Sequence, residues 1–260
     1  MSGEQRDFCW YELMTTDMAG AAAFYGEVLG WQANAAPMAP PGMEYRLLGL
    51  PGQMPAAGLM PLPEAARAMG APPHFIGYVE VPDVDAALAK AVSLGARVAV
   101  PATDVPNVVR FACIWDPQGA AIGLITPLNP PPDVKPDHAS PGRIGWHELY
   151  STDWEAGFGF YSAMFGWQKD HAMDMGPMGT YQIFSCHGRQ IGGMMTKPDA
   201  VPVPSWAYYV NVPGIETTLA AVKASGGQVI HGPTEVPGEM WILQGLDPQG
   251  GFFAAVGPKG

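Results

Sequence analysis

The sequence predicts an α+β protein made of two like halves, each half a pair of βαβββ modules. Three observations carry this. The segment WYELMTTD at Trp10–Asp17 returns as WHELYSTD at Trp146–Asp153, and Phe24-Tyr25 and Leu29-Gly30-Trp31 return as Phe160-Tyr161 and Phe165-Gly166-Trp167, all 136 residues on. Next, FIGYVEVP from Phe75 and DPQG from Asp116 return as WAYYVNVP from Trp206 and DPQG from Asp247, 131 residues on. Four blocks in one order over about 120 residues, present twice, mean two similar domains and not a solenoid. Third, within each half the hydrophobic period switches between that of a strand and that of a helix in the same order.

Taken in order, residues 8–14 alternate as a strand does. Asp17 offers a helix N-cap, and Met18–Leu29 is rich in alanine, places Phe24 and Leu29 on a buriable face and closes at Gly30. Short strands follow at 45–50 and 57–60. The half then restarts with a strand at 74–81, a helix at 84–94 ended by Gly95, strands at 97–100 and 108–115, the Asp-Pro-Gln-Gly turn and a strand at 121–126. The second half repeats this plan, with helices near 154–165 and 215–225. Between the halves, Pro127 to Gly142 holds six prolines in sixteen residues. Such a run reads as a stiff, extended linker, giving domains at 1–126 and 143–260.

The composition narrows the function. A chain of 260 residues suits two domains. Apolar residues make up 48% and charged ones 14%, against roughly 25% charged in an average globular protein, which excludes a disordered chain. Net charge is 13 − 24 = −11 with no run of Lys or Arg, so there is no material for a surface that tracks phosphates, and nucleic acid is not an expected partner. Cys9, Cys113 and Cys186 are odd in number and widely spaced, and read as small buried residues of a reducing compartment. The first ten residues are polar and no 18-residue apolar run exists, so no membrane partner is expected and the reading is cytoplasmic. A monomer suffices, since the fused halves already supply a pair of domains; a homodimer is compatible.

With WxEL, TD, FY and (L/F)GW opening each half and DPQG before its last strand, the chain resembles the vicinal oxygen chelate superfamily of glyoxalase, bleomycin-resistance and extradiol dioxygenase proteins. The resemblance covers nearly the whole chain and is nearest to tandem-domain bacterial members. It implies two tandem glyoxalase-like domains, each a curved, cup-like mixed sheet. In metal-using members it implies ligands from the opening strand, the last strand of the first module, the start of the restarted strand and the strand after the turn. Here those places hold Trp10 and Trp146, Leu59-Met60 and Met194-Met195, His74 and Ser205, and Gly123 and Ala254. Only His74 is a fitting ligand, and a catalytic site normally has about three protein ligands. No cofactor is therefore expected. The alternative is a divalent metal at His74 in a metal-dependent lyase or dioxygenase.

Strand alternation puts Trp10, Glu12 and Met14 on one face, and Trp146, Glu148 and Tyr150 on the matching one. A carboxylate among Trp and Met side chains is costly unless paired, so Glu12 and Glu148 are the candidate acid–base groups, against the plainer reading of structural hydrogen-bonded residues. His74 and Tyr78 share a face, as does Tyr209 in the second half. Arg110 is expected to meet Glu12 across the sheet, while Trp241 holds the equivalent place, leaving Glu148 the better candidate for an unpaired group. Trp10, Trp146, Tyr78, Tyr209, Trp241, His74 and Arg110 are the candidate ligand-binding residues. The expected function is small-molecule binding, or metal-independent proton transfer, in apolar cups that contain a glutamate.

Overall fold

The computed structural model describes residues 5–40, 42–129 and 138–260. In the first half, β1 (Phe8–Thr15), α1 (Met18–Leu29), β2 (Gln32–Ala35), β3 (Arg46–Gly49) and β4 (Ala57–Pro61) form one module. A short helix, α2 (Glu64–Ala68), leads to the second: β5 (His74–Glu80), α3 (Val84–Ser93), β6 (Arg97–Val105), β7 (Val109–Trp115) and β8 (Ala121–Pro127). The second half has β9 (Ile144–Ser151), α4 (Trp154–Phe165), β10 (Gln168–Asp174), β11 (Thr180–Cys186) and β12 (Arg189–Thr196). It ends with β13 (Ser205–Asn211), α5 (Ile215–Ala224), β14 (Gln228–Val236), β15 (Met240–Leu246) and β16 (Phe252–Gly257). No helix among the described residues is long and apolar enough to cross a membrane.

Each half forms one open, eight-stranded mixed sheet. The orders are β2-β3-β4-β1-β5-β8-β7-β6 and β10-β11-β12-β9-β13-β16-β15-β14, the same plan twice. Within a module the first strand runs parallel to the last, β1 to β4 and β5 to β8, because the helix between them is a crossover connection. One strand escaped the sequence pattern and another, expected at 97–100, runs on beyond it. β2 is Gln-Ala-Asn-Ala at a sheet edge, mostly exposed, so it has no apolar alternation to read. β6 continues to Val105 past Pro101, which an edge strand tolerates because one row of its amides has no ladder partner.

The chain packs into two compact units that do not follow the halves. One comprises the described residues up to Trp10, of 77–136 and of Trp146–Trp206; the other comprises Tyr11–Ile76, those of 137–145, and Ala207–Gly260. Inside each unit the repeated motifs meet one another. In the first, Tyr161 donates to Asp116 at 3.0 Å, and the other Asp116 oxygen accepts the amides of Gln118, Gly119 and Ala120. Gln118 then caps the approach to α4, donating to the Asp153 carbonyl oxygen and accepting the Asp153 amide, both at 2.7 Å. The Trp167 indole donates to the Arg6 carbonyl oxygen at 2.6 Å. In the second unit Tyr25 donates to Asp247 at 3.1 Å and the Trp31 indole to the Gly142 carbonyl oxygen at 3.0 Å. The FY and DPQG blocks are thus the two ends of the same bonds, and each GW indole is held by a backbone carbonyl of the same unit.

The glycine of each GW block is a left-handed helix stop, with φ of 72° at both Gly30 and Gly166. Asp17 and Asp153 cap the amide ends of α1 and α4. The three cysteines are free thiols; burial pushes that of Cys186 up to about 12, well away from reactive thiolate. Of the segment 127–142, residues 130–137 lie outside the described residues. Pro127 closes β8, and the far end is held by Asn211, whose side chain donates to the His138 carbonyl oxygen at 2.8 Å and whose own carbonyl accepts the Gly142 amide at 2.7 Å.

Candidate functional site

Tyr11, Leu13 and Thr15 of β1 are buried, while Trp10, Glu12 and Met14 on the opposite face are partly open. In β9, the Leu149 and Ser151 side chains lie under α4, where a Cβ on Gly157 would meet both. Trp146, Glu148 and Tyr150 therefore project from the face away from that helix.

On that face each glutamate is held by a tyrosine that lies flat across a glycine. Parallel pairing puts Glu12 beside Gly58 and Glu148 beside Gly193. A Cβ on Gly58 would collide with the Tyr45 ring and hydroxyl, and one on Gly193 with those of Tyr181. The missing side chain is what lets the phenol reach inward. Tyr45 donates to Glu12 at 2.8 Å. Tyr181 accepts the Trp146 indole N–H at 2.8 Å and hydrogen-bonds Glu148, while Tyr150 donates to Glu148 at 2.7 Å. Burial, with the Glu148 charge behind it, keeps the Tyr181 phenol well above its usual range, so it remains a donor. The second cluster has one phenol more, because Met14 stands where Tyr150 does.

These partners revise the reading of the glutamates. Glu148 is not an unpaired group; it is 7% exposed and accepts phenol hydrogens. Arg110 is not the partner of Glu12: its guanidinium is shared between Asp85 at 2.7 Å and Asp104 at 2.8 Å. The neighbouring Phe111 ring faces Tyr78, so alternation turns Arg110 to the α3 side of β7 and away from the Tyr78 face. Trp241 is displaced in the same way. Gln244, three residues on, donates to Tyr209 at 2.6 Å, which places Trp241 on the other face, under the Lys259 ammonium 4.8 Å from its ring centre. Sequence reasoning missed Tyr45, Tyr181, Gly58 and Gly193. The signal was present, since Tyr45 and Tyr181 are 136 apart and the glycines 135, but a tyrosine and a glycine on separate segments suggest no pair until the register is known.

Tyr78 and Tyr209 are buried, and Tyr78 repeats the same device: its ring covers Gly123, where the resemblance implies a metal-binding glutamate. In the second half Ala254 pairs with Tyr209. His74, at the start of β5, has its Nδ1 2.8 Å from the Pro72 carbonyl oxygen. Among the described residues no group of three His, Cys, Asp or Glu is placed to hold a metal ion. Tryptophan, methionine, glycine and alanine where ligands would stand do not fit a divalent metal centre.

A family model described as Glyoxalase/Bleomycin resistance protein/Dioxygenase superfamily matches residues 8–124. The chain is 32% identical over 259 residues to "Putative glyoxylase CFP32" of Mycobacterium tuberculosis (strain CDC 1551 / Oshkosh), covering 96% of this chain and 94% of that one. It is 28% identical to "Anthracycline biosynthesis protein DauV" of Streptomyces sp. (strain C5), covering 95% and 91%. Among solved structures, the Mn(II)-bound glyoxalase from Novosphingobium aromaticivorans superposes with a TM-score of 0.66 at 14% identity, over 98% of this chain and 82% of that one. The 2,3-dioxygenase LapB from Pseudomonas sp. KL28 does so with 0.64 at 13%, over 100% and 94%. Likeness at such identity is one of fold.

Proposed function

Because the chain belongs to the glyoxalase/bleomycin resistance protein/dioxygenase superfamily, we propose that it binds a small oxygenated aromatic molecule on the Glu148 cluster without a metal. The observation that carries this is the repeated device of a carboxylate held by a phenol laid over a strand glycine. The Tyr150 and Tyr181 hydroxyls fix the Glu148 carboxylate on the face that it shares with Trp146, where a ligand hydroxyl would meet an oriented acceptor. Trp146, partly open beside it, offers an aromatic face for stacking. Similarity to a protein named for anthracycline biosynthesis supports a hydroxylated polycyclic ligand.

The test is a fluorescence titration with the anthracycline doxorubicin and, in parallel, alizarin. Saturable binding that weakens at least tenfold in Glu148→Gln and in Tyr181→Phe, in variants that circular dichroism shows to be folded, supports the reading; tenfold is about 1.4 kcal/mol. Binding that Glu148→Gln leaves intact, or no saturable binding of either compound, overturns it.

A further inference from the structure

We propose that the groove between α3 and the C-terminal end of α4 is a second binding site, for a small organic monoanion: an alkyl or aryl carboxylate or sulfonate. The groove encloses about 650 Å³ and lies within one compact unit. That is within the range of roughly 300–1,000 Å³ usual for small-molecule sites. Its walls are apolar, from Val81, Ala86, Ala87 and Met164, and its polar edge carries Arg6 and Lys90. Two cations on one small groove stand out in a chain with 13 basic residues and a net charge of −11.

Both cations are placed by the fold. The Arg6 backbone is pinned on both sides, its amide donating to the Phe165 carbonyl oxygen at 2.9 Å and its carbonyl accepting the Trp167 indole at 2.6 Å. Lys90 reaches across from α3 to within 3.5 Å of the Met164 carbonyl oxygen. The one acidic residue lining the groove, Asp83, has its carboxylate on the Ala86 amide at 3.0 Å as the N-cap of α3.

Duplication supplies an internal control. At the repeat-equivalent positions the chain has Gly142 for Arg6 and Ala221 for Lys90. The scaffold therefore does not require either cation, as the same modules pack in the other unit without them. The two charges stand in the unit where they line this groove, which fits recognition of an anion better than a structural need.

The probe is 8-anilinonaphthalene-1-sulfonate, titrated by fluorescence at low ionic strength, with octanoate as competitor. The expected result is 1:1 saturable binding, displaced by octanoate, weakened at least tenfold in Lys90→Gln and in Arg6→Gln, and unchanged in Glu148→Gln. That last arm separates this groove from the Glu148 cluster. Ala163→Glu, at an exposed lining position, adds a negative charge and is expected to abolish binding even if the basic-residue variants lose stability. Absence of saturable binding, failure of octanoate to compete, or affinity that survives Ala163→Glu would overturn the proposal.

Discussion

The Tyr25 hydroxyl donates to the Asp247 carboxylate at 3.1 Å across 222 residues of sequence, and Tyr161 donates to Asp116 at 3.0 Å in the matching place. Each bond joins the first helix of one half to the last turn of the other.

Tyr25→Phe is expected to lower unfolding free energy by about 1–3 kcal/mol, since it leaves a buried carboxylate short of one donor. Tyr161→Phe should cost a similar amount and also strand the Trp206 indole, which donates to the same hydroxyl at 3.0 Å. The two pairs share no partner, so the double variant should show the sum. Urea denaturation measures all three.

Burial holds the Asp247 carboxyl above the usual carboxylate range, against the pull of the Gly251 and Gln249 amides and the Tyr25 hydroxyl. A pKa raised in the folded state means that the ionised group opposes folding at neutral pH and stops doing so as the pH falls through the raised value. Asp247→Asn does not titrate. The unfolding free energy of the Asn protein minus that of the Asp protein should therefore be largest near neutrality and shrink on acidification toward about pH 4. A difference that grows instead would mean that folding favours the charged form.

Gly193→Ala should push Tyr181 off Glu148, costing about 1–3 kcal/mol in stability and weakening doxorubicin binding more than Gly58→Ala does. Tyr181→Phe keeps the ring over Gly193 and removes only the hydroxyl. If Gly193→Ala binds as the parent protein does, the flat phenol has no part in recognition.

Arg110→Ala should leave the urea midpoint nearly unchanged, because its ion pairs with Asp85 and Asp104 are solvent-exposed and screened. Ligand binding should be unaffected. Reduced affinity would return Arg110 to the binding face.

Much of the fold was legible because its information is local. The cap at Asp17, the stop at Gly30, the DPQG turns and the alternation of Trp10, Glu12 and Met14 each depend on residues a few positions apart, and all stand in the structure as the pattern implies. The repeat added the plan of two like sheets. Tertiary structure alone decided the partners. Whether Glu12 meets Arg110 or Tyr45 turns on which face β7 presents and on which residue of β4 lies beside β1, and a shift of one residue would reverse every side chain. The sequence could show that Gly58 and Gly193 recur; only the register shows why, since a tyrosine from the neighbouring segment needs the space that a side chain would fill.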